Sequence, residues 1–324
     1  MSSGYDIVGD IHGQADALVA LLRQMGYVER NGAWRHPDRT AIFVGDFIDR
    51  GPRQVESVMV ARRMVDAGSA LATMGNHEFN AVAWFLPDPA NPGEYLRPRF
   101  SKGKGDKNRK QHAEFLGEVE SRPALHKEII DWFLSLPLWL DLPGLRVIHA
   151  CWHSRFMEYA VPRLLPGALL SADLMQAATD EPEVKDEKDS PEPSLFKAVD
   201  MLIKGMEVPL PKGYCFTDKD GITRTRARVR WWDNEATTYR QAALLGDGLS
   251  EQLPDLPIPL HMRSCQVPDR PLFIGHYSLG GNPVLLSDQI ACVDYGAGHN
   301  GALCAYRWKG EGTLTARHFC LAQA

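Results

Sequence analysis

Three Gly-bounded strings, each just after a short apolar run, constrain this 324-residue chain more than anything else in it. They are Gly9-Asp10-Ile11-His12-Gly13, Gly45-Asp46-Phe47-Ile48-Asp49-Arg50-Gly51-Pro52 and Gly75-Asn76-His77-Glu78. The apolar runs before them, residues 5–8, 41–44 and 70–74, read as strands. Between them Ala15, Leu18, Val19, Leu22 and Met25, and then Val55, Val58, Met59, Arg62 and Val65, recur at helical spacing. A third helix starts in residues 78–85. Strand, polar turn and helix thus alternate, and polar residues that follow strand ends in an open α/β sheet gather along one rim.

The strings bring carboxylate, imidazole and amide groups suited to a pair of divalent cations. Two such ions roughly 4 Å apart repel and need a shared anion, a place that Asp46 fits. Asp10 and His12 would bind the first ion with Asp46, and Asn76 the second through its amide oxygen. Two further apolar runs, 145–148 and 272–275, lead into His149 and His276, which would complete the second set. Oxygen and imidazole ligands without thiolate favour Mn, Fe, Zn or Co; manganese is the first expectation. Such a pair favours phosphate-ester hydrolysis through a metal-bound hydroxide. His77 is suited to protonate the leaving oxygen, and Asp49 to accept the other ring N–H of His77 and fix its tautomer. Arg50 offers a planar fork matched to two phosphate oxygens. Each feature alone has a plainer reading: a polar turn, an N-cap at Asn76, a surface Asp49–Arg50 pair, satisfied strand-end histidines at 149 and 276. Their occurrence together, in one order, outweighs these.

On these residues the chain resembles the calcineurin-like metallophosphoesterases, in the branch of Ser/Thr protein phosphatases and bacterial diadenosine tetraphosphatases. The resemblance is dense over about the first eighty residues. It returns near His149 and again from His276 to Gly301, where Val293-Asp294-Tyr295-Gly296-Ala297-Gly298 is similar to the family's closing strand and turn. It implies Asp10, His12 and Asp46 on one metal, and Asp46, Asn76, His149 and His276 on the other. It also implies a His77 general acid paired with Asp49, and substrate contacts from Arg50, Asn76 and a mid-chain arginine. Arg230 fills that last place, with Arg228 as its alternative beside Trp231 and Trp232. His153 competes with His149, whose strand-end position favours it. The implied fold is α/β: a two-sheet β-sandwich flanked by helices, with inserted loops rimming the site. Residues 283–286, 289–293, 302–308 and 313–319 read as its later strands. One domain over 1–324 is expected, with inserts at 87–126 and 153–270.

Within the first insert, residues 87–110 are rich in Pro, Gly and basic side chains, including Arg97, Arg99 and Lys110. A solvated loop is the first expectation, and a lid attracting a polyanionic substrate the second. Residues 128–136 and 196–206 read as helices, the acidic 179–193 stretch as a loop, and 213–229 as a hairpin turning at Asp220-Gly221. Trp84, Tyr95 and Trp152 are candidates to stack a base, though core packing ranks first for each. A net charge of −5 carries no signature of bulk nucleic-acid binding, so attraction for phosphate must be local. Six cysteines without a C-x-x-C pair read as reduced core thiols, and the early first strand as leaving no targeting segment. No apolar run reaches membrane-spanning length. The expectation is a cytoplasmic dinuclear phosphoesterase acting on a phosphoprotein, a dinucleoside polyphosphate or other nucleotide, or an RNA end. The alternative is a non-catalytic metal-binding protein of the same fold.

Overall fold

A computed structural model of the chain describes residues 4–217, 221–246, 248–263 and 268–323. Two sheets lie at its centre. In the first, strands Gly4–Val8, Arg39–Phe43 and Ala70–Ala72 run parallel. Ala302–Trp308 pairs antiparallel with Gly4–Val8, and Asp294–Tyr295 and Phe319–Gln323 pair with Ala302–Trp308. The second runs in the order Leu285–Ser287, Ile290–Cys292, Leu272–Ile274, Arg146–Ile148, Trp139–Asp141, its middle three strands parallel.

The alternation of side chains along a strand builds the sandwich. Ile7, Ile42, Val147, Phe273, Ala291 and Tyr306 share one apolar cluster drawn from strands of both sheets. Neighbours on the same strands, Val8, Phe43, Ile148, Ile274, Cys292 and Ala305, belong to a second cluster that includes the flanking helices. Helix Ala15–Gln24 gives that cluster Leu18, Leu21 and Leu22, and helix Gln54–Asp66 gives Val58, Ala61 and Met64. Strands covered on both faces read as unbroken apolar runs, which is why the two-sheet α/β architecture was visible in the sequence.

Gly9 shows how tightly the first strand ends. A Cβ there would lie 1.9 Å from the carbonyl oxygen of Val293, while its N–H bonds Cys304 O at 2.9 Å. Backbone cannot swing aside as a side chain can, so Gly9→Ala is expected to cost about 1–3 kcal/mol. Urea unfolding checks this; an unchanged midpoint contradicts it.

Four expectations change. Residues 313–319 do not form a strand. The chain makes a short 3-10 turn at Ala316–His318 before the strand Phe319–Gln323, because the Tyr306 hydroxyl accepts Thr315 N–H (2.9 Å) and Glu311 takes the His318 ring (2.9 Å). The acidic 179–193 loop contains a helix, Lys185–Asp189, tied down by Arg226 on Asp189 at 2.7 Å. The basic 87–110 stretch ends as a helix, Lys104–Gln111, which continues as Ala113–Val119. Its arginines anchor it: Arg97 donates to Asn80 (3.1 Å) and Gln111 (2.6 Å), and Arg99 sits over the rings of Tyr95 and Trp84. The 213–229 stretch splits. Phe216–Thr217 pairs with Thr223–Arg224, but Arg226–Arg228 pairs with Glu207–Pro209. Asp220 of the expected turn and Cys265 lie outside the described residues. Of the other cysteines, Cys151, Cys292 and Cys304 are buried, Cys320 is half-buried and Cys215 is exposed. Among the described residues no helix is long and apolar enough to cross a membrane.

Candidate metal centre

Three parallel strands of the first sheet and two of the second deliver the candidate ligands from their carboxyl ends. Gly4–Val8 leads to Asp10 and His12, Arg39–Phe43 to Asp46, Ala70–Ala72 to Asn76, Arg146–Ile148 to His149, and Leu272–Ile274 to His276. Asp46 is the hub. Its Oδ2 lies 3.7 Å from His12 Nε2 and 3.8 Å from His77 Nε2, and its Oδ1 lies 3.4 Å from His149 Nε2. Two ligand clusters result, His12–Asp46–His77 and Asp46–His149–His276, each with its ligand atoms within 4.8 Å of one another. The Asn76 amide oxygen joins the second, 3.1 Å from His149 Nε2 and 2.8 Å from His276 Nδ1.

Two of the imidazoles are oriented toward the centre by hydrogen bonds to main-chain carbonyls. His12 turns Nδ1 to Ile48 O (2.9 Å) and His149 turns Nδ1 to Val44 O (2.8 Å), so each presents Nε2 to the centre. Burial, then the neighbouring His77, lowers the pKa of His12 to about 3, which keeps it neutral. Burial works against protonation of His149 too, but Asp46 overcomes it and raises its pKa. His276 is held well below the ordinary value by burial, then by Arg228 and His149. Asp10 is pushed well above the carboxylate range by burial and by the carboxylates of Asp294 and Asp46. Asp10 Oδ1 and His276 Nε2 are buried without a hydrogen-bond partner, an arrangement proteins avoid unless another group completes it. Divalent cations fit: they would satisfy both atoms and offset the crowded carboxylates.

The loops carrying these groups are strained. His12, Asp46, Asp49, Arg50 and His276 all have positive φ, between 48° and 75°. Such conformations cost about 1–3 kcal/mol each and persist where the surroundings over-determine them. Here Glu78 does much of that. Its carboxylate accepts the N–H groups of Asp46 (2.7 Å), Phe47 (2.8 Å) and Gly75 (3.0 Å), tying the second motif to the third. Burial and Asp46 raise its pKa to about 7. Gly75 must be glycine, because a Cβ would sit 2.2 Å from Asp46 Oδ1.

Residues 5–160 match the family model of the calcineurin-like phosphoesterases. That stretch, a little under half of the chain, is similar to this family. A 74-residue segment is 42% identical to a bis(5'-nucleosyl)-tetraphosphatase PrpE [asymmetrical] of Halalkalibacterium halodurans, covering 22% of this chain and 30% of that protein. A protein of the same name from Oceanobacillus iheyensis is 27% identical over 157 residues, 48% of this chain and 58% of its own. The match thus spans less than two thirds of either relative. A solved structure of a candidate diadenosine tetraphosphatase shares 17% identity at a TM-score of 0.47, covering 99% of this chain and 94% of that one.

Beside the candidate ligands stands a chain of polar groups. His77 Nδ1 is 2.5 Å from Asp49 Oδ2, and burial's pressure on His77 is overcome by Asp46 and Asp49, raising its pKa. On the far side of Asp49, His112 Nδ1 lies 2.8 Å from Oδ2 and 3.1 Å from Oδ1. Burial would raise the pKa of Asp49, but His112 and then His77 bring it down to about 2. His112 escaped the sequence reading; it sits in a basic stretch 63 residues from Asp49, its one local signal being the apolar Phe115-Leu116 that follow. Arg50 is exposed at the rim, its Nη1 2.9 Å from His12 Nε2. Of the mid-chain arginines, Arg230 donates to Gln241 O, while Arg228 is the one whose charge reaches His276. His153 is in neither ligand cluster and packs its ring edge-on against Phe156. Arg99 sits over one face of Trp84 and of Tyr95, and Arg146 over one face of Trp152.

Proposed function

We propose that this chain hydrolyses a phosphoanhydride or phosphate-ester bond, with a dinucleoside polyphosphate as the first candidate substrate. The observation that carries this is the meeting of Asp46, Asn76 and the imidazoles of residues 12, 149 and 276 around two buried, unpartnered ligand atoms. Asp10, His12 and Asp46 would hold one divalent cation, and Asp46, Asn76, His149 and His276 the other, manganese first among the candidates. Such ions, when bound, polarise a phosphoryl group and lower the pKa of water. Arg50, exposed beside them, grips phosphate oxygens, with Asn76 next to it. Arg228 takes the second arginine's place in this reading, since Arg230 is engaged by Gln241. His77 holds a proton at Nε2 for the leaving oxygen, its ring fixed through Nδ1 by Asp49. A purely structural metal site would need neither Asp49, His77 nor Arg50. The whole chain acts as one domain, with 87–126 and 153–270 as inserts around the cleft.

His112 acts as a positioning residue, holding Asp49 against His77. His112→Phe is expected to lower kcat about ten- to a hundredfold, the scale of lost outer-shell support. The loss should be smaller with p-nitrophenyl phosphate, whose leaving oxygen needs no proton. Equal losses on good and poor leaving groups contradict this role.

Substrate choice is tested by comparing diadenosine tetraphosphate, a phosphoserine peptide and p-nitrophenyl phosphate with manganese present. The reading expects the highest kcat/KM for the dinucleotide. A clear preference for the peptide would replace the substrate while keeping the chemistry.

A further inference from the structure

The first insert places a largely buried cation, Arg97, where no ion pair uses it. Its Nη1 donates to Asn80 Oδ1 (3.1 Å) and its Nη2 to Gln111 Oε1 (2.6 Å). Both partners are neutral amides, and among the described residues no carboxylate lies within ion-pairing distance of Arg97. Its Nε is buried without a hydrogen-bond partner. A buried charge so placed is costly, and burial lowers the Arg97 pKa to about 10. The carboxylate whose charge offsets this is Asp49. The two amides explain the position. Asn80 is three residues after His77 on helix Asn76–Phe85, so the two are neighbours on its surface. Gln111 ends helix Lys104–Gln111 and directly precedes His112. Arg97 therefore ties the helix that carries His77 to the helix end that carries His112. Between those imidazoles lies Asp49, 2.5 Å from His77 Nδ1 and 2.8 Å from His112 Nδ1. An ionised carboxylate only accepts, so both Nδ1 atoms carry a hydrogen, and bonds this short do not survive much sliding of one helix against the other.

We propose that Arg97 is a positioning residue whose fork seats His77 and His112 together against Asp49. Its effect on turnover rests on the hydrolytic reading, in which His77 Nε2 serves the leaving oxygen; the seating itself does not. The charge contributes as well as the fork. It favours ionised Asp49 and adds to the burial that disfavours protonation of His112, so His112 supports Asp49 as a neutral donor. A plainer role, holding the insert down, is filled by Arg99. Its Nε donates to Trp84 O (2.7 Å), and its guanidinium lies over the rings of Trp84 (4.9 Å) and Tyr95 (3.5 Å). Trp84 lies about two turns beyond His77 on the same helix. Arg99 thus anchors the same insert without touching the groups around Asp49, and serves as the control.

Arg97→Met keeps an apolar stem and removes both fork and charge. With manganese present, kcat for diadenosine tetraphosphate should fall about tenfold, the lower end of lost outer-shell support. KM should stay unchanged and p-nitrophenyl phosphate should be little affected. Adding Arg97→Met to His112→Phe should cost nothing further, since both remove the same support. Arg99→Met should show none of this pattern. Nitrogen-edited NMR of the full chain supplied with zinc reads the seating directly. The ring N–H that His112 gives Asp49, identified by its absence in His112→Phe, should vanish or exchange rapidly in Arg97→Met and persist in Arg99→Met. Gln111→Met, at a half-buried position, breaks one arm of the fork and should act in the same direction, which keeps the test valid if Arg97→Met misfolds. An intact His112 signal in the fork variants overturns the proposal, as does an equal loss on good and poor leaving groups or the same pattern in Arg99→Met. A wild-type chain that hydrolyses neither substrate sinks the hydrolytic reading instead, and the NMR comparison still decides the seating.

Discussion

Asp46→Asn is expected to lower turnover about a thousandfold while leaving the chain folded. Asp46 is the one carboxylate in both ligand clusters. Asparagine keeps the shape and one acceptor oxygen, so the His77 N–H that bonds Oδ1 at 3.0 Å retains a partner. The loop also keeps its anchor, since Glu78 grips the main chain of residue 46 rather than its side chain. What would disappear is the negative charge that the proposed pair of cations would share, which in a buried site has no substitute from solvent. Losing metal-based transition-state stabilisation of several kcal/mol corresponds to about that thousandfold. Elemental analysis should show fewer metal ions per chain beside the fall in kcat. Two ions retained with turnover unchanged would remove Asp46 from its bridging role.

His77→Ala should leave the metals in place yet lower kcat about a hundred- to ten-thousandfold, the usual worth of a positioned proton donor. Its Nδ1 is committed to Asp49, so only Nε2 remains to serve a leaving oxygen. The effect should depend on the leaving group: large for an alkyl phosphate or a nucleotide, small for p-nitrophenolate. Geometry alone would also allow His77 Nε2 to join His12 and Asp46 on a metal. The variant separates the two roles. Loss of a metal ion, with equal effects on every leaving group, would make His77 a ligand instead of an acid.

The gathering of the candidate ligands was legible because each lies within four residues of an apolar run that becomes a parallel strand, and parallel strands in one sheet end on the same side. Asp46 could be chosen as the hub from charge repulsion alone. The positioning groups were less visible for a physical reason. His112 reaches Asp49 through a helix that looked like solvated loop, because its lysines and arginines hide the few apolar residues that seat it. Arg228 and Arg230 could not be ranked by spacing. Strand pairing carries the alternation only as far as Arg228, so Arg230 falls past the strand end, where the parity rule no longer applies. Residues 313–319 failed for a similar reason, since side chains of Tyr306 and Glu311 capture the backbone and ring that would otherwise continue as strand.

The most direct measurement is hydrolysis of diadenosine tetraphosphate by the metal-stripped chain, titrated with manganese, with Asp10→Asn beside it. The account expects no turnover without metal, activity that rises to a plateau near two ions per chain, and little recovery in Asp10→Asn. Turnover in the stripped chain, or equal turnover in Asp10→Asn at saturating manganese, would contradict a metal-dependent phosphoesterase built on these residues.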